Sequence, residues 1–293
     1  MKKLFILFLF IPGFLFAQDD LLGELEKSTQ EESVYTFATF KGTRLGNGHS
    51  VETKNAGALE FIFAHRFGRI NGGSYEMFGF DEALVRLGLD YGFTDWLSWS
   101  IGRNSFDKTV DSYVKIKALR QRSGATQFPF TATVLVGGAY KLSPKNNSDV
   151  SPTFKSTDRL SYTLQLLMAR KFSPSLSFQL MPTWVHKNAV VKSYEENGQF
   201  ALGVGGRVKI TRSVALTGEY YYNMSEKDNS PYYNPLAFGV DIETGGHVFQ
   251  IVITNAVGLT ERAFVTETMD DFFDGDIHLG FNVTRTFQLK KKK

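Results

Sequence analysis

Alternation of apolar and polar residues with a period of two dominates this sequence from about residue 56 to its end. Successive side chains of a β-strand point to opposite faces, so this alternation predicts strands with one apolar and one polar face. Helical spacing is hard to find in the same region. About twelve strands are predicted, over residues 59–67, 83–91, 96–103, 110–119, 128–140, 159–171, 176–186, 199–210, 214–223, 236–243, 247–254 and 277–289.

The two faces of these strands distinguish a water-soluble β-sandwich from a membrane barrel. Over residues 159–171, Leu160, Tyr162, Leu164, Leu166 and Met168 share one side, and Arg159, Ser161, Thr163, Gln165 and Ala169 share the other. Strands that cross a bilayer need roughly 9 to 11 residues, which these segments reach and sandwich strands usually do not. The pattern favours an apolar face against lipid and a polar face against a lumen.

The predicted connections alternate in length, as they do in bacterial outer-membrane barrels. Short links lie at 92–95, 172–175, 211–213 and 244–246, and long ones at 68–82, 141–158, 187–198, 224–235 and 255–276. Two links fit less well: 104–108 is short for an outer loop, and 121–127 is long for an inner turn. The prediction is an all-β, transmembrane antiparallel β-barrel of about 12 strands in the outer membrane, with both termini in the periplasm.

The first 55 residues do not follow this pattern. Lys2 and Lys3 precede an apolar run that ends at Ala17, so residues 1–17 are expected to be a cleaved signal peptide. Residues 18–55 are interpreted as an N-terminal periplasmic arm or lumen plug, with Val34 to Phe40 either a further strand or an extended piece inside the lumen. Residues 56–289 form the barrel, and 290–293 a lysine tail.

Composition excludes several classes of function. The chain has no cysteine and a formal charge of +3, which becomes +1 without Lys2 and Lys3. A nucleic-acid partner would need a strong basic excess, so none is expected. No glycine-rich loop follows a strand and opens a helix, which leaves nucleotide binding unsupported and no cofactor expected.

Charged residues of both signs occupy the predicted inward face. Unpaired burial would be costly, so these side chains must be hydrated or paired across strands. They could line a polar pore that selects ions or gates solutes, or form salt bridges that brace a filled barrel. They are Glu60, Arg66, Arg86, Asp90, Lys115, Lys117, Arg207, Lys209, Glu219, Asp241 and Glu243.

Two constellations were weighed for other chemistry. His49 and Ser50 are adjacent, and lipid hydrolysis uses a serine activated by a histidine, but neighbouring residues of a strand point apart, so a polar turn is favoured. Asp270, Asp271, Asp274 and Asp276 could hold a divalent cation, although their spacing is not that of an EF-hand and a solvated acidic loop is favoured. No catalytic or metal-binding residue is therefore assigned.

Five stretches resemble a family of Bacteroidota outer-membrane barrels catalogued as a domain of unknown function. They read YTFATFKGTRL at 35–45, NGHSVE at 47–52, LEFIFAHRFG at 59–68, DYGFTDWLSWSIGR at 90–103 and GFNVTRTF at 280–287. The resemblance spans nearly the whole chain after residue 17. It implies an outer-membrane β-barrel and supplies no substrate, cofactor or catalytic residue.

The function expected from the sequence is a passive porin-like channel for small hydrophilic solutes, and not an enzyme. The alternative is a non-enzymatic structural or partner-docking subunit of an outer-membrane complex, with a lipid hydrolase as a minor third reading. The expected partners are outer-membrane lipid and, for the alternative, another envelope protein.

Overall fold

The computed structural model describes residues 32–142, 155–191, 193–225 and 227–290. The expected signal peptide, the start of the N-terminal arm and the last three lysines lie outside these ranges. Fourteen strands are present within them. In chain order they are β1 Val34–Tyr35, β2 Ala58–Arg69, β3 Ala83–Thr94, β4 Leu97–Asn104, β5 Thr109–Leu119, β6 Arg122–Ser123, β7 Thr131–Lys141, β8 Leu160–Lys171, β9 Leu176–Lys187, β10 Gly198–Lys209, β11 Val214–Asn223, β12 Leu236–Thr244, β13 His247–Thr254 and β14 His278–Gln288.

Twelve of these strands, all except β1 and β6, form one closed antiparallel barrel. Each barrel strand pairs with its neighbours in the chain, and β14 pairs with β2 to close the wall. Closure leaves no free sheet edge, the condition for a sheet to cross hydrocarbon. The predicted all-β barrel of about twelve strands is confirmed, and each predicted strand overlaps an observed one.

The side chains of the wall are arranged with apolar residues outside and polar residues inside. In β8, Tyr162, Leu164 and Leu166 are exposed on the outer surface, whereas Thr163 and Gln165 are buried. A water-soluble core would reverse this distribution. The exposed apolar faces of the strands therefore form a surface suited to lipid.

The two ends of the barrel differ in the length of their connections. One end, the short-turn end, carries tight turns such as that at Gly245 and Gly246, which both have positive φ, as such turns require. The other, the long-loop end, carries long loops. The barrel begins at Ala58 and ends at Gln288 on the short-turn end, because the number of wall strands is even.

The link predicted at 121–127 was long for an inner turn, and the observed connection 120–130 gives the structural reason. It contains β6, which pairs with β1 from the N-terminal segment, Tyr35 opposite Arg122. Both strands lie outside the wall. Val34 to Phe40 is therefore not a wall strand: its first residues attach to the short-turn end, and Phe40 is buried.

Residues 39–53, here called the lumen segment, lie inside the barrel. Every residue from Gly42 to Val51 is buried. The segment turns back on itself, with Leu45 N donating to Gly48 O at 2.9 Å and Ser50 N to Thr43 O at 3.0 Å. Its atoms hydrogen-bond side chains of β2, β5, β7, β9, β11, β13 and β14, so it crosses the lumen rather than following one wall.

Residues 255–276 were predicted to be a long outer loop, and the structure corrects this for the connection 255–277. It folds into the long-loop end of the lumen and forms a short helix, α1 (Glu261–Thr266), whose residues are all buried. The helix contacts β8, β9 and β11. Within the described ranges no helix is long and apolar enough to cross a membrane.

Candidate functional site

The lumen is the only region where many charged side chains are buried together in the described part of the chain. Eight of the eleven predicted inward-facing residues are buried: Glu60, Arg66, Arg86, Asp90, Lys115, Arg207, Glu219 and Asp241. The other three lie towards the short-turn end, where Lys117 and Lys209 are partly exposed and Glu243 is exposed. The structure brings most of the predicted set together, and most of it holds the lumen segment.

Glu219 of β11 binds the tip of the lumen segment. Its carboxylate accepts a hydrogen bond from Asn47 N at 2.5 Å and a bifurcated one from Gly48 N, 3.1 Å from each oxygen. A carboxylate that accepts backbone N–H groups satisfies donors that no water can reach in this buried position. The tip has little space: a Cβ on Gly48 would lie 2.1 Å from Tyr221 Oη, so only glycine fits there.

Arg66 of β2 holds the opposite side of the same tip. It donates to Asn47 Oδ1 from Nη2 at 2.7 Å and from Nε at 3.2 Å, and to Gly46 O at 3.2 Å. Asn282 of β14 also donates to Gly46 O, at 2.9 Å. Arg66 and Glu219 therefore bind the tip from two sides. The Glu219 carboxylate accepts from the N–H groups of the tip, and the Arg66 guanidinium donates to its oxygens.

Lys115 of β5 binds the base of the lumen segment. Its Nζ donates to three backbone carbonyls, those of Thr43 at 2.9 Å, Ser50 at 3.0 Å and Glu52 at 3.2 Å. These three bonds use all the donors of an ammonium group. The turn is thus fixed at its base by one buried cation.

Towards the short-turn end, ion pairs continue the attachment. Lys54 Nζ lies 2.5 Å from Glu60 Oε1, Lys117 Nζ lies 3.2 Å from Glu52 Oε2, and Lys41 Nζ lies 2.5 Å from Glu243 Oε2. Arg207 donates to Ala38 O at 3.2 Å. Each of these contacts joins the lumen segment or its flanks to the wall.

Three predicted residues brace the wall itself. Arg86 Nε donates to Asp111 Oδ1 at 3.0 Å, and Nη2 to the other oxygen, which makes a buried bidentate pair between β3 and β5. Asp90 accepts from Tyr113 Oη at 2.9 Å on the same two strands. Asp241 of β12 accepts from Gln250 at 2.9 Å.

Apolar side chains fill the space that these polar contacts leave. Lumen segment, wall and loop all contribute to one buried cluster. Its members are Phe40, Leu45, Val51, Leu167, Ala169, Met181, Ala201, Tyr221, Ala256, Phe264 and Val265. The lumen at this level is a packed core.

Helix α1 covers the lumen segment from the long-loop side through a charged network. Arg262 pairs with Glu267 and, at 3.0 Å, with Asp107, while Lys187 lies 3.3 Å from Glu267. Burial alone would raise the pKa of Glu267, but the charges of Arg262, Lys141 and Lys187 outweigh it and hold that pKa at about 2.

His49 and Ser50 do not form a catalytic pair. The Ser50 hydroxyl donates to Gly42 O at 2.6 Å, so its proton is not directed at the imidazole. His49 packs edge-on against Tyr113, with Nε2 3.1 Å from Glu261 Oε1. Burial, with the charges of Arg44 and Lys115, holds the pKa of His49 well below 6.5, and the residue is fully enclosed.

The acidic loop is used for internal contacts. Asp270 pairs with Arg69 and, at 2.6 Å, with His278 Nε2. Asp276 accepts from Asn71 at 2.7 Å. Among the residues that the structure describes, no three His, Asp or Glu side chains form a group suited to a metal ion.

The sequence reading missed the amide side chains that complete the site. Gln179 accepts from Val51 N at 2.7 Å and donates to His49 O at 2.8 Å, and Gln250 donates to Leu45 O at 2.8 Å. Like Asn282, both stand at alternating positions that face inward, so the period-two pattern contained the signal. The set of inward-facing residues predicted from this pattern contains only charged side chains.

Fold and site define a membrane β-barrel whose lumen is filled by its own chain. The chain belongs to the family described as a membrane bound beta barrel domain (DUF5777), whose model matches residues 40–287. That match begins at the lumen segment. The Bacteroidota lineage is not part of the match.

Comparison with solved structures gives other barrels at low identity. The KdgM porin is 9% identical with a TM-score of 0.47, covering 78% of this chain and 99% of the porin. The outer membrane protein Omp33 of Acinetobacter baumannii is 10% identical with a TM-score of 0.44, covering 82% and 100%. The translocator domain of autotransporter NalP from Neisseria meningitidis is 10% identical with a TM-score of 0.37, covering 92% and 96%. Comparison with curated proteins gives no match. None of these likenesses indicates what this chain passes or binds.

Proposed function

We propose that this protein is a non-enzymatic outer-membrane barrel that is closed to solutes as folded and acts through its rims and loops, as a structural or docking component of the envelope. The observation that carries the proposal is the lumen segment, fixed by Glu219, Arg66 and Lys115 and packed into an apolar cluster with α1. Small barrels filled by side chains have no aqueous passage.

A permanently open passive pore does not fit this arrangement. A channel that opens when the lumen segment withdraws is the second candidate. It is favoured by one feature: the wall groups that hold the segment are charged residues of both signs, and an emptied lumen would be lined by them. The two candidates differ in whether the lumen segment ever leaves the lumen.

Conductance with a locked lumen segment separates them. The natural sequence has no cysteine, so a pair can be introduced cleanly. Asn47 Nδ2 donates to Thr254 Oγ1 at 3.0 Å, which makes Asn47→Cys with Thr254→Cys a suitable pair for a short thiol crosslinker. The matched control is Asn47→Cys alone, treated with the same reagent.

A closed barrel should give no discrete conductance in planar bilayers, with or without crosslinking. Conductance that crosslinking abolishes in the double-cysteine variant, but that the wild-type protein and the treated Asn47→Cys control retain, would favour the gated channel. Conductance that crosslinking leaves unchanged would contradict both candidates. The docking role is tested separately: purification from native membranes should yield a stoichiometric protein partner, and a protein that always migrates alone would count against it.

A further inference from the structure

A basic and aromatic cavity lies at the short-turn end, apart from the lumen. It has a volume of about 540 Å³, and its lining includes the basic residues Arg120, Arg122 and Lys117 and the aromatic residues Tyr35, Trp96 and Phe128. It stands where β5 ends and where β6 pairs with β1.

Two guanidinium groups meet in this cavity. The Arg120 guanidinium lies 4.5 Å from the Tyr35 ring centre, and that of Arg122 lies 5.9 Å from the same ring. Arg122 Nη1 also donates to Tyr35 Oη at 3.4 Å. Cation–π contacts hold both arginines in place without neutralising their charge.

Among the described residues, neither arginine has an ion pair with a carboxylate, and Arg122 Nε is buried without a hydrogen-bond partner. Lys117, by contrast, is paired with Glu52. Two like charges close together with open donors form a site that an anion would complete. Guanidinium groups suit phosphate in particular, because their planar donors match its oxygens.

The surroundings of the cavity indicate the source of that phosphate. Trp96, Ile116 and Leu119 expose 51%, 38% and 43% of their surface. Ile116 belongs to the outer, lipid-facing side of β5, since Lys115 faces inward. Tryptophan beside apolar strand ends marks the level where hydrocarbon meets headgroups. If the phosphate of a phospholipid is bound here, its acyl chains lie along the outer surface of the wall.

We propose that this cavity binds the phosphate of an anionic phospholipid in the leaflet at the short-turn end, with Arg120 and Arg122 as the binding residues. The site goes beyond the proposed closed barrel and does not depend on whether the lumen conducts. It places lipid beside Tyr35, the residue that attaches the N-terminal segment to the rim through β1.

The test is native mass spectrometry of protein released from vesicles of equal parts phosphatidylglycerol and phosphatidylethanolamine. The wild-type protein should retain phosphatidylglycerol selectively. Arg120→Gln with Arg122→Gln should weaken that retention by roughly 30-fold, or about fivefold for each arginine, from the usual contribution of a basic residue near a membrane surface. The matched control is Arg285→Gln, whose arginine lies 4.8 Å from the Phe287 ring on another strand reaching the same end.

Three results would overturn the proposal. One is equal retention of the two lipids by the wild-type protein, a result that does not depend on any variant folding. The second is the same loss in Arg285→Gln as in the double variant, which would indicate a diffuse charge effect. The third is saturation of the site by inorganic phosphate with no lipid retained, which would assign it to a free anion.

Discussion

Arg66 and Asn47 meet inside the barrel, where the guanidinium Nη2 of the wall residue donates to the amide Oδ1 of the lumen segment at 2.7 Å. Both side chains are buried, 0% and 1% exposed. A wall cation whose partner comes from a separate segment depends on that segment for its hydrogen bonds. Stability of the wall and seating of the segment are therefore coupled.

Asn47→Ala should loosen the lumen segment, because it leaves Arg66 with an unsatisfied buried donor. The expected cost is about 1–3 kcal/mol. Hydrogen exchange of the backbone amides between residues 42 and 51 measures it, since local opening sets their protection. Asn71→Ala is the control, as Asn71 donates to Asp276 on the exposed long-loop end. Equal exchange in the two variants would contradict the coupling.

Gly48 is expected to be intolerant of a methyl group because of Tyr221. A Cβ there would lie 2.1 Å from the tyrosine hydroxyl oxygen, whereas a Cβ on Gly42 would have no contact closer than 3.8 Å. Gly48→Ala should therefore cost about 1–3 kcal/mol of unfolding free energy, as overpacking does, and Gly42→Ala much less.

Urea unfolding of protein in lipid vesicles gives the comparison between the two glycines. Tyr221→Phe removes the atom that is nearest to the added methyl, so the double variant with Gly48→Ala should recover part of the loss. No recovery, together with equal costs at Gly42 and Gly48, would show that the tip is not tightly seated.

The buried pair of Arg86 and Asp111 should be strongly coupled. Replacing either partner alone, by Arg86→Gln or Asp111→Asn, leaves the other group without its hydrogen bonds and should cost about 3–5 kcal/mol. The double variant should cost less than the sum. The control is the more exposed pair of Lys227 and Glu196, 2.8 Å apart, for which a coupling of about 1 kcal/mol or less is expected. Additive costs at Arg86 and Asp111 would contradict the bidentate pair.

The wall could be predicted from the sequence because a strand's period of two is set by local geometry. Exposed Leu164 beside buried Gln165 follows directly from that pattern, as do the inward positions of Arg66 and Glu219. What fills the lumen could not be predicted in the same way. The contact of Asn47 with Thr254 joins residues far apart in the chain, and no periodicity relates them.

The inward fold of the 255–277 connection has a signal in the sequence, namely its apolar residues. Ala256, Leu259, Ala263, Phe264 and Val265 are apolar, which is unusual for a solvated loop, and the structure buries all five. Their burial depends on space beside the lumen segment, which only tertiary structure defines. The sequence of this connection does not by itself distinguish a solvated loop from one packed into the lumen.

Acid should loosen the lumen segment through His49. Because the folded state holds the pKa of His49 well below 6.5, it binds fewer protons than the unfolded chain as the pH falls below that value. The contribution of neutral His49 to the free energy of unfolding is therefore complete above pH 6.5. It is lost as the pH decreases below that value, at up to about 1.4 kcal/mol per pH unit. Glu267, with a pKa of about 2, contributes fully above pH 4.5 and loses its contribution only below that value, so it adds no pH dependence between pH 6.5 and 4.5.

Hydrogen exchange of residues 42–51 between pH 7.5 and 5, corrected for intrinsic rates, measures this dependence. His49→Leu, which fills a similar volume without titrating, should reduce the slope of the profile over that range. His247→Leu, at the start of β13 on the short-turn end, should leave the wild-type profile unchanged. If the wild-type profile is already flat, or if His49→Leu keeps its slope, the buried imidazole does not control the segment.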